Sequence, residues 1–394
     1  MQLMIRGGQL VLPDRTAVGN LWIRNGLISR IELDATANNS SSKLNDDETE
    51  TVTIDASGKY VLPGLIDLHC DAIEKEVQPR PGTLFPLDMA FMEFERKLPL
   101  HGITSMYHSL SLGVGLSLRG DHILTQLVEL IRQYRCKRSM VHSLIHLRYE
   151  VSHLAGYPIV EQYVREGIID YLSLMDHSPG QGQYREEGSF ERYVMKNQGV
   201  DVYEVKAIVD ELNERRAQVD WEKLHKLGEL AAARGIAVSS HDDDSPKRAE
   251  QSRQLGSTIS EFPITLETAQ YAAEQGMYVC VGAPNVVRGG SHDRNLRAAD
   301  AITAGAAHIL CSDYHPSSLL TAIFKLSDEG ILPLWQAAAM ASLNAAKAAR
   351  IDHYCGSLTE GKAADLIIVD RYEQHPWVKH TLVNGKIVYT SDTI

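Results

Sequence analysis

The chain has no apolar run near the roughly 18 residues that a membrane-spanning helix needs. Arg6, Gly7, Gly8, Pro13 and Asp14 stand where a secretory leader would keep an unbroken apolar stretch. No membrane partner is expected, and the expected location is the cytoplasm. The five cysteines, Cys70, Cys136, Cys280, Cys311 and Cys355, are scattered without a CxxC pair. They fit neither a disulfide framework nor a thiolate zinc site. Positive charge is also short, with 39 Lys and Arg against 51 Asp and Glu and a net charge of −12. A general polyanion-binding surface needs clustered cations, so nucleic acid is not an expected partner, while one small anionic ligand still fits.

Hydrophobic residues make up 44% and charged residues 23% of the 394 positions. Those values are ordinary for a folded soluble protein and exclude disordered, collagen-like and coiled-coil classes. At a prior of roughly 150 residues per domain, the length allows two or three domains, or one large barrel with an appendage. Both ends read as β-structure. MQLMI, QLVL, NLWI and LISRIEL surround Asn25-Gly26 near the start, and ADLIIVD, HTLV and KIVYT surround Asn384-Gly385 near the end. Asn-Gly between alternating runs is a strong hairpin signal, and the two ends together predict one small sheet domain from residues 1–60 and 353–394. Ala35 to Thr53 is polar and acid-rich, which predicts a mobile surface loop.

Residues 61–352 alternate short apolar runs with helical patterns, the signature of parallel βα units. Gly102, Gly167, Gly235, Gly256, Gly276 and Gly305 each close a segment and precede an apolar run. Glycine just past a helix terminus accepts the left-handed conformation that stops it. Eight strands are predicted: VLPGLIDLH, ITSMYHS, HSLIHLRYE, IIDYLSLMDH, IAVSSHD, STISEFP, MYVCVGAP and AAHILCSD. Helices are predicted over Trp221 to Arg234, with Asp220 as N-cap, and over the Ala-rich stretch Leu332 to Arg350. The predicted fold class is therefore α/β, a (β/α)8 TIM-type barrel with the small terminal sheet domain attached; an open doubly wound sheet is the rival.

In such a barrel the active site lies at the C-terminal ends of the strands, and here those ends are polar. The first ends Asp67-Leu68-His69-Cys70-Asp71, where alternation puts His69 and Asp71 on one face with Asp67. His142, His146, Arg148 and Glu150 share one parity on the third, a set that an apolar interior would not accept unpaired. The fourth ends Asp176-His177, the fifth His241-Asp242-Asp243-Asp244, the sixth Glu261-Phe262 and the eighth Asp313-Tyr314-His315. Six strands delivering His or carboxylate to one rim are what a metal centre with nitrogen and oxygen ligands requires, against a structural polar network as the alternative. The acidic run 242–244, taken alone, predicts a solvated loop.

VLPGLIDLHCD, SSHDDD, CSDYHP, GSLTEGKAADLIIVD and HTLVNGKIVYT, set in this eightfold alternation, resemble the amidohydrolase superfamily over essentially the whole chain. The resemblance implies a metal-bearing (β/α)8 barrel with a small β-sandwich from both termini. Most members carry HxH on the first strand; here the second residue is Asp71. DLHCDAIEKEVQPRPG, HLRYEVSH, MDHSPGQGQY and APNVVRGGSH are similar to members that cleave phosphoric anhydrides. That implies a phosphorylated sugar as substrate and diphosphate as a product, in phosphonate breakdown. An amide or cyclic-imide hydrolase or a deaminase is the alternative on the same scaffold.

Carried over by resemblance, His69 and Asp71 hold one metal and His177 and His241 another, with Glu150 between them in the place of a carboxylated lysine. Asp313 binds metal and takes the proton of the attacking water. Zinc is the first expectation for one or two divalent ions, with manganese, iron or magnesium as alternatives. Arg80, Arg148, Arg288, Ser291 and His292 are the expected substrate contacts, since guanidinium groups fork onto phosphate oxygens. Lys247 and Arg248 are weaker candidates, and GQGQY at 180–184 either touches the sugar or turns the chain. The sequence leaves a homodimer open.

Overall fold

The computed structural model describes residues 2–33, 51–80, 82–113, 121–185, 188–198, 202–291 and 295–391. The first strands are β1 (Gln2–Val11), β2 (Thr16–Arg24), β3 (Leu27–Leu33), β4 (Thr51–Asp55) and β5 (Tyr60–Pro63). After Gly64 come β6 (Leu65–Cys70), β7 (Ile103–Leu112), β8 (His142–Glu150), β9 (Tyr171–Met175), β10 (Ala237–His241), β11 (Ile259–Glu261), β12 (Tyr278–Gly282) and β13 (Ile309–Cys311). The last three are β14 (Leu366–Tyr372), β15 (His375–Val383) and β16 (Lys386–Thr390).

β6 to β13 run in chain order as one parallel eight-stranded sheet, and they are the eight predicted strands. The cylinder closes beyond the last strand rather than within it. A parallel bridge joins Cys70 to Asp313, the Asp313 N–H donates to the His69 carbonyl at 2.9 Å, and the Asp71 N–H donates to the Asp313 carbonyl at 2.8 Å. The six punctuating glycines all have positive φ, between 65° and 95°. The helix Trp221–Ala233 begins at Asp220, whose carboxylate accepts the Lys223 N–H at 3.1 Å. One apolar layer fills the space between strands and helices. A second, with Ile66, Tyr107, Tyr171, Ala237, Ile259 and Ile309, fills the cylinder and packs against the helix Leu343–Ala348.

The terminal strands form a second sheet, ordered β16-β15-β14-β5-β1-β2-β3 with β4 paired to β1. Asn25-Gly26 and Asn384-Gly385 have positive φ at both positions, as type I′ hairpin turns require. The two turns touch: a Cβ on Gly385 would stand 3.2 Å from the Gly26 Cα. Among the described residues no helix is long and apolar enough to cross a membrane.

Two expectations are corrected. Of the predicted loop from Ala35 to Thr53, residues 35–50 lie outside the described residues, and Thr51 to Thr53 belong to β4, whose partner is β1. The Ala-rich stretch is two helices, Leu334–Met340 and Leu343–Ala348. The break has a tertiary cause: the Ala341 carbonyl accepts the Ile66 N–H of β6 at 2.8 Å, and Ser342 leaves helical geometry while its hydroxyl donates to the Ala338 carbonyl at 2.7 Å.

His108 faces out of the cylinder, against Phe91 and Phe94, with both ring nitrogens buried and unpartnered. Burial pulls its pKa down to about 3 from 6.5. The unfolded chain protonates this ring below pH 6.5 while the folded chain does not, so stability falls as pH drops from 6.5 toward 3, by up to about 1.4 kcal/mol per unit. His108→Leu removes that term. Its unfolding temperature should exceed that of the parent at pH 5 by more than at pH 8, as measured by thermal scans; an equal difference at both pH values would show that His108 does not couple folding to protons.

Candidate functional site

The β8 row climbs the cylinder. His142 is at the far end, where its Nε2 lies 3.0 Å from Asp365 at the edge of the terminal sheet. One level up, His146 Nδ1 pairs with the Ser109 hydroxyl at 3.0 Å, and its ring lies 4.2 Å from that of Tyr171. Arg148 and Glu150 reach the rim. Buried Asp67 does not face the rim; it accepts the Ser312 N–H at 3.0 Å and so ties β6 to the end of β13.

At the rim, His69 and His241 stack with ring centroids 5.4 Å apart and planes within 16°. Beneath them Glu261 is fully buried. Its Oε1 accepts the Tyr171 hydroxyl at 2.8 Å, and its Oε2 accepts the Ser173 hydroxyl at 3.1 Å and His241 Nδ1 at 3.4 Å. His69 Nδ1 lies 3.2 Å from the same Oε2, off the line of a hydrogen bond. Burial raises the Glu261 carboxyl, but the imidazoles around it hold it well below the usual range. Phe262 meets both imidazoles edge-on, at 5.0 Å from His69 and 5.3 Å from His241.

A second cluster adjoins the first. Glu150 Oε2 contacts His177 Nδ1 at 3.0 Å, and Glu150 also accepts the His177 N–H at 3.1 Å. Nε2 of His177 and Nε2 of His241 each lie 3.7 Å from Asp242 Oδ2. Burial lowers the His177 pKa, but the carboxylates of Asp242 and Glu150 outweigh it and hold the ring at about 9. His241, with burial dominant, is pulled to about 4. Arg148 joins the clusters, its Nη2 3.3 Å from His241 Nε2 and its Nη1 3.6 Å from Asp71 Oδ2. Asp313, just past β13, is half-buried, and burial holds its carboxyl above the ordinary range.

A cavity of about 220 Å³ opens over this rim, lined by His69, Arg148, His241, Asp313, Arg288 and Ser291 among others. Glu150, His177 and Asp71 stand around it, linked to it through Asp242 and Arg148. Arg80 is exposed and does not line this cavity. His292 lies outside the described residues. Arg248 is engaged elsewhere: its Nη2 contacts Asp176 Oδ2 at 3.1 Å and its guanidinium lies 5.5 Å over the Trp221 ring. Gln183 of the GQGQY segment does line the cavity.

The acidic run is not a solvated loop. Asp242 and Asp243 are buried, and Asp243 accepts hydroxyls from Ser240 and Ser252. Sequence reasoning therefore missed Asp242 as a site residue, although its position beside a strand-ending histidine was a signal. It also missed Phe262. A bulky residue with φ of +54° is a conformational outlier that no propensity predicts.

The residues present fit a metal ion. Two trios, His69/His241/Glu261 and His177/His241/Asp242, each offer one ligand atom per residue with all three within 4.8 Å of one another. Buried His69 Nδ1 and His177 Nε2 have no hydrogen-bond partner. Imidazole and carboxylate donors without thiolate suit zinc and neighbouring divalent metals.

The amidohydrolase family profile matches residues 178–388. The chain is 33% identical over 393 residues, 98% of its own length and 100% of the relative's, to the alpha-D-ribose 1-methylphosphonate 5-triphosphate diphosphatase of Escherichia coli strain K12. It is 26% identical to an imidazolonepropionase of Geobacillus kaustophilus, across 95% of this chain and 90% of the relative. Among solved structures, the N-acetylglucosamine-6-phosphate deacetylase of Pasteurella multocida superposes with a TM-score of 0.67 at 13% identity, covering 99% of this chain and 100% of the other.

Proposed function

We propose, from the premise that this chain belongs to the amidohydrolase family, that its rim hydrolyses alpha-D-ribose 1-methylphosphonate 5-triphosphate to the 5-phosphate and diphosphate, within phosphonate breakdown. The observation that carries this reading is full-length similarity to a diphosphatase of that substrate. The chemistry of the rim supports it, because anhydride hydrolysis needs an activated water, a proton acceptor and groups that tolerate dense negative charge.

His69, Asp71, Glu150, His177, His241 and Asp313 are the residues that would hold divalent metal. When bound, such ions lower the pKa of water from 15.7 toward about 7 and offset phosphate charge. Asp313 accepts the water proton as the new P–O bond forms, and the bridging oxygen leaves with its phosphate. Arg148 keeps Asp71 and His241 in place from one side. Arg288 and Ser291, which also line the cavity, bind the phosphate chain. Phe262, Val281, Pro284 and Leu296 complete an apolar wall that limits water around the reacting phosphorus.

Phosphorus NMR of the products formed from the ribosyl triphosphate, with defined metal in oxygen-18 water, tests the reading. Label in either the 5-phosphate or the diphosphate supports it and identifies the phosphorus attacked. An intact triphosphate, alongside turnover of a cyclic imide, overturns it. Arg288→Ala should raise KM by about 10-fold with little change in kcat, since one charged hydrogen bond contributes about 1.5 kcal/mol. An unchanged KM in steady-state assays would remove Arg288 from the binding surface.

A further inference from the structure

We infer that Glu261 and Phe262 form a clamp that sets the His69–His241 pair for metal binding, with Glu261 acting as a positioning residue and not as a ligand. The inference rests on the metal-binding reading of the rim, and its test is independent of the substrate assigned above.

A carboxylate offers about four lone-pair directions. Glu261 already accepts three hydrogen bonds, from Tyr171 on Oε1 and from Ser173 and His241 Nδ1 on Oε2, and His69 Nδ1 crowds the same Oε2 at 3.2 Å without a hydrogen bond. It also lies fully buried, one level below the cavity. Although Glu261 lies near enough to His69 and His241 to complete a ligand trio, oxygens engaged from beneath and by His241, and crowded by His69, have little left to offer an ion. What they do is favour a proton on Nδ1 of each ring, by a hydrogen bond at His241 and by the nearby negative charge at His69, which leaves Nε2 unprotonated on the opposite edge. For His241 that edge faces the rim, where Nε2 stands 3.3 Å from Arg148 and 3.7 Å from Asp242. A histidine ligand whose second nitrogen donates to a carboxylate has its tautomer and ring direction fixed in this way.

Phe262 supplies the other half. Successive residues of an extended strand point to opposite faces, so the residue after Glu261 should turn away from the histidines. The φ of +54° at Phe262 reverses that and brings its ring edge-on to both imidazoles, with interplanar angles of 85° and 84°. Glu261 thus sets which nitrogen carries the proton, while Phe262 sets the planes of the rings. The strained backbone of this bulky residue has a structural return in two histidines held by adjacent residues.

The test uses metal-free full-length protein with nitrogen-15 histidine, with His69 and His241 resonances assigned by their loss in His69→Asn and His241→Asn. Both rings are expected as the Nδ1–H tautomer. In Glu261→Gln they should shift toward the Nε2–H form, and zinc affinity measured by competition with a chelating dye should fall about 10- to 100-fold at unchanged stoichiometry. Nε2–H tautomers in the parent protein would overturn the inference, even if the variant did not fold. Loss of one equivalent of zinc in Glu261→Gln would overturn it too, by making Glu261 a ligand. Correct tautomers in a protein inert toward the triphosphate would leave the clamp standing and remove only the substrate.

Discussion

Asp313→Asn is expected to lower turnover of the ribosyl triphosphate by about 10²–10⁴-fold, the usual contribution of a positioned proton acceptor, with an unfolding temperature close to that of the parent. Asparagine is the informative choice. It keeps the shape of the side chain and accepts the left-handed backbone, φ +59°, that this position requires. The contacts that close the cylinder here are made by backbone atoms, to His69 and Asp71, and survive the change. What is lost is a carboxylate able to receive a proton, which burial has already made more basic than an ordinary aspartate. Diphosphate release measured beside a thermal scan separates the outcomes. Near-normal rates would exclude Asp313 from the chemistry, and a parallel fall in rate and stability would make its role structural.

Removing metal should have a comparable or larger effect. Dialysis against a strong chelator is expected to reduce turnover by at least about 10³-fold, since the ion contributes several kcal/mol of transition-state stabilisation. Zinc or manganese should restore it. Without an ion the rim brings Asp71, Glu150, Asp242 and Asp313 together beside the Arg148 guanidinium and a protonated His177. That balance favours uptake of a cation. Elemental analysis of the gently purified protein, read with the chelation and add-back rates, checks this. Full activity in protein that contains no metal would end the metal-dependent reading.

The barrel was legible because its strands are short apolar runs ended by polar pairs and preceded by glycines that must turn left-handed. The placement of His69, His177, His241 and Asp313 at the rim was legible for the same reason, each standing where an apolar run stops. The split of the Ala-rich helix was not, because it is caused by a hydrogen bond from Ile66, more than two hundred positions away in the chain. Asp242 read as solvated since an acidic triplet looks alike in a loop and in a site, and only the two imidazoles beside it tell them apart. Arg80 and Arg248 illustrate the converse: a cation near a strand end says nothing of which way it turns, and Arg248 turns to Asp176.

Asp242, Phe262 and Asp313 share one device: each is left-handed, and each donates its N–H to the carbonyl of the next strand, at Glu261, Cys280 and His69 respectively. The sheet therefore extends one rung further than its regular strands, and those three side chains are anchored to the cylinder itself. The segments that follow are free to diverge in length and chemistry without disturbing them. A graft that exchanged those segments would alter which molecules are admitted and leave the machinery for attacking them in register.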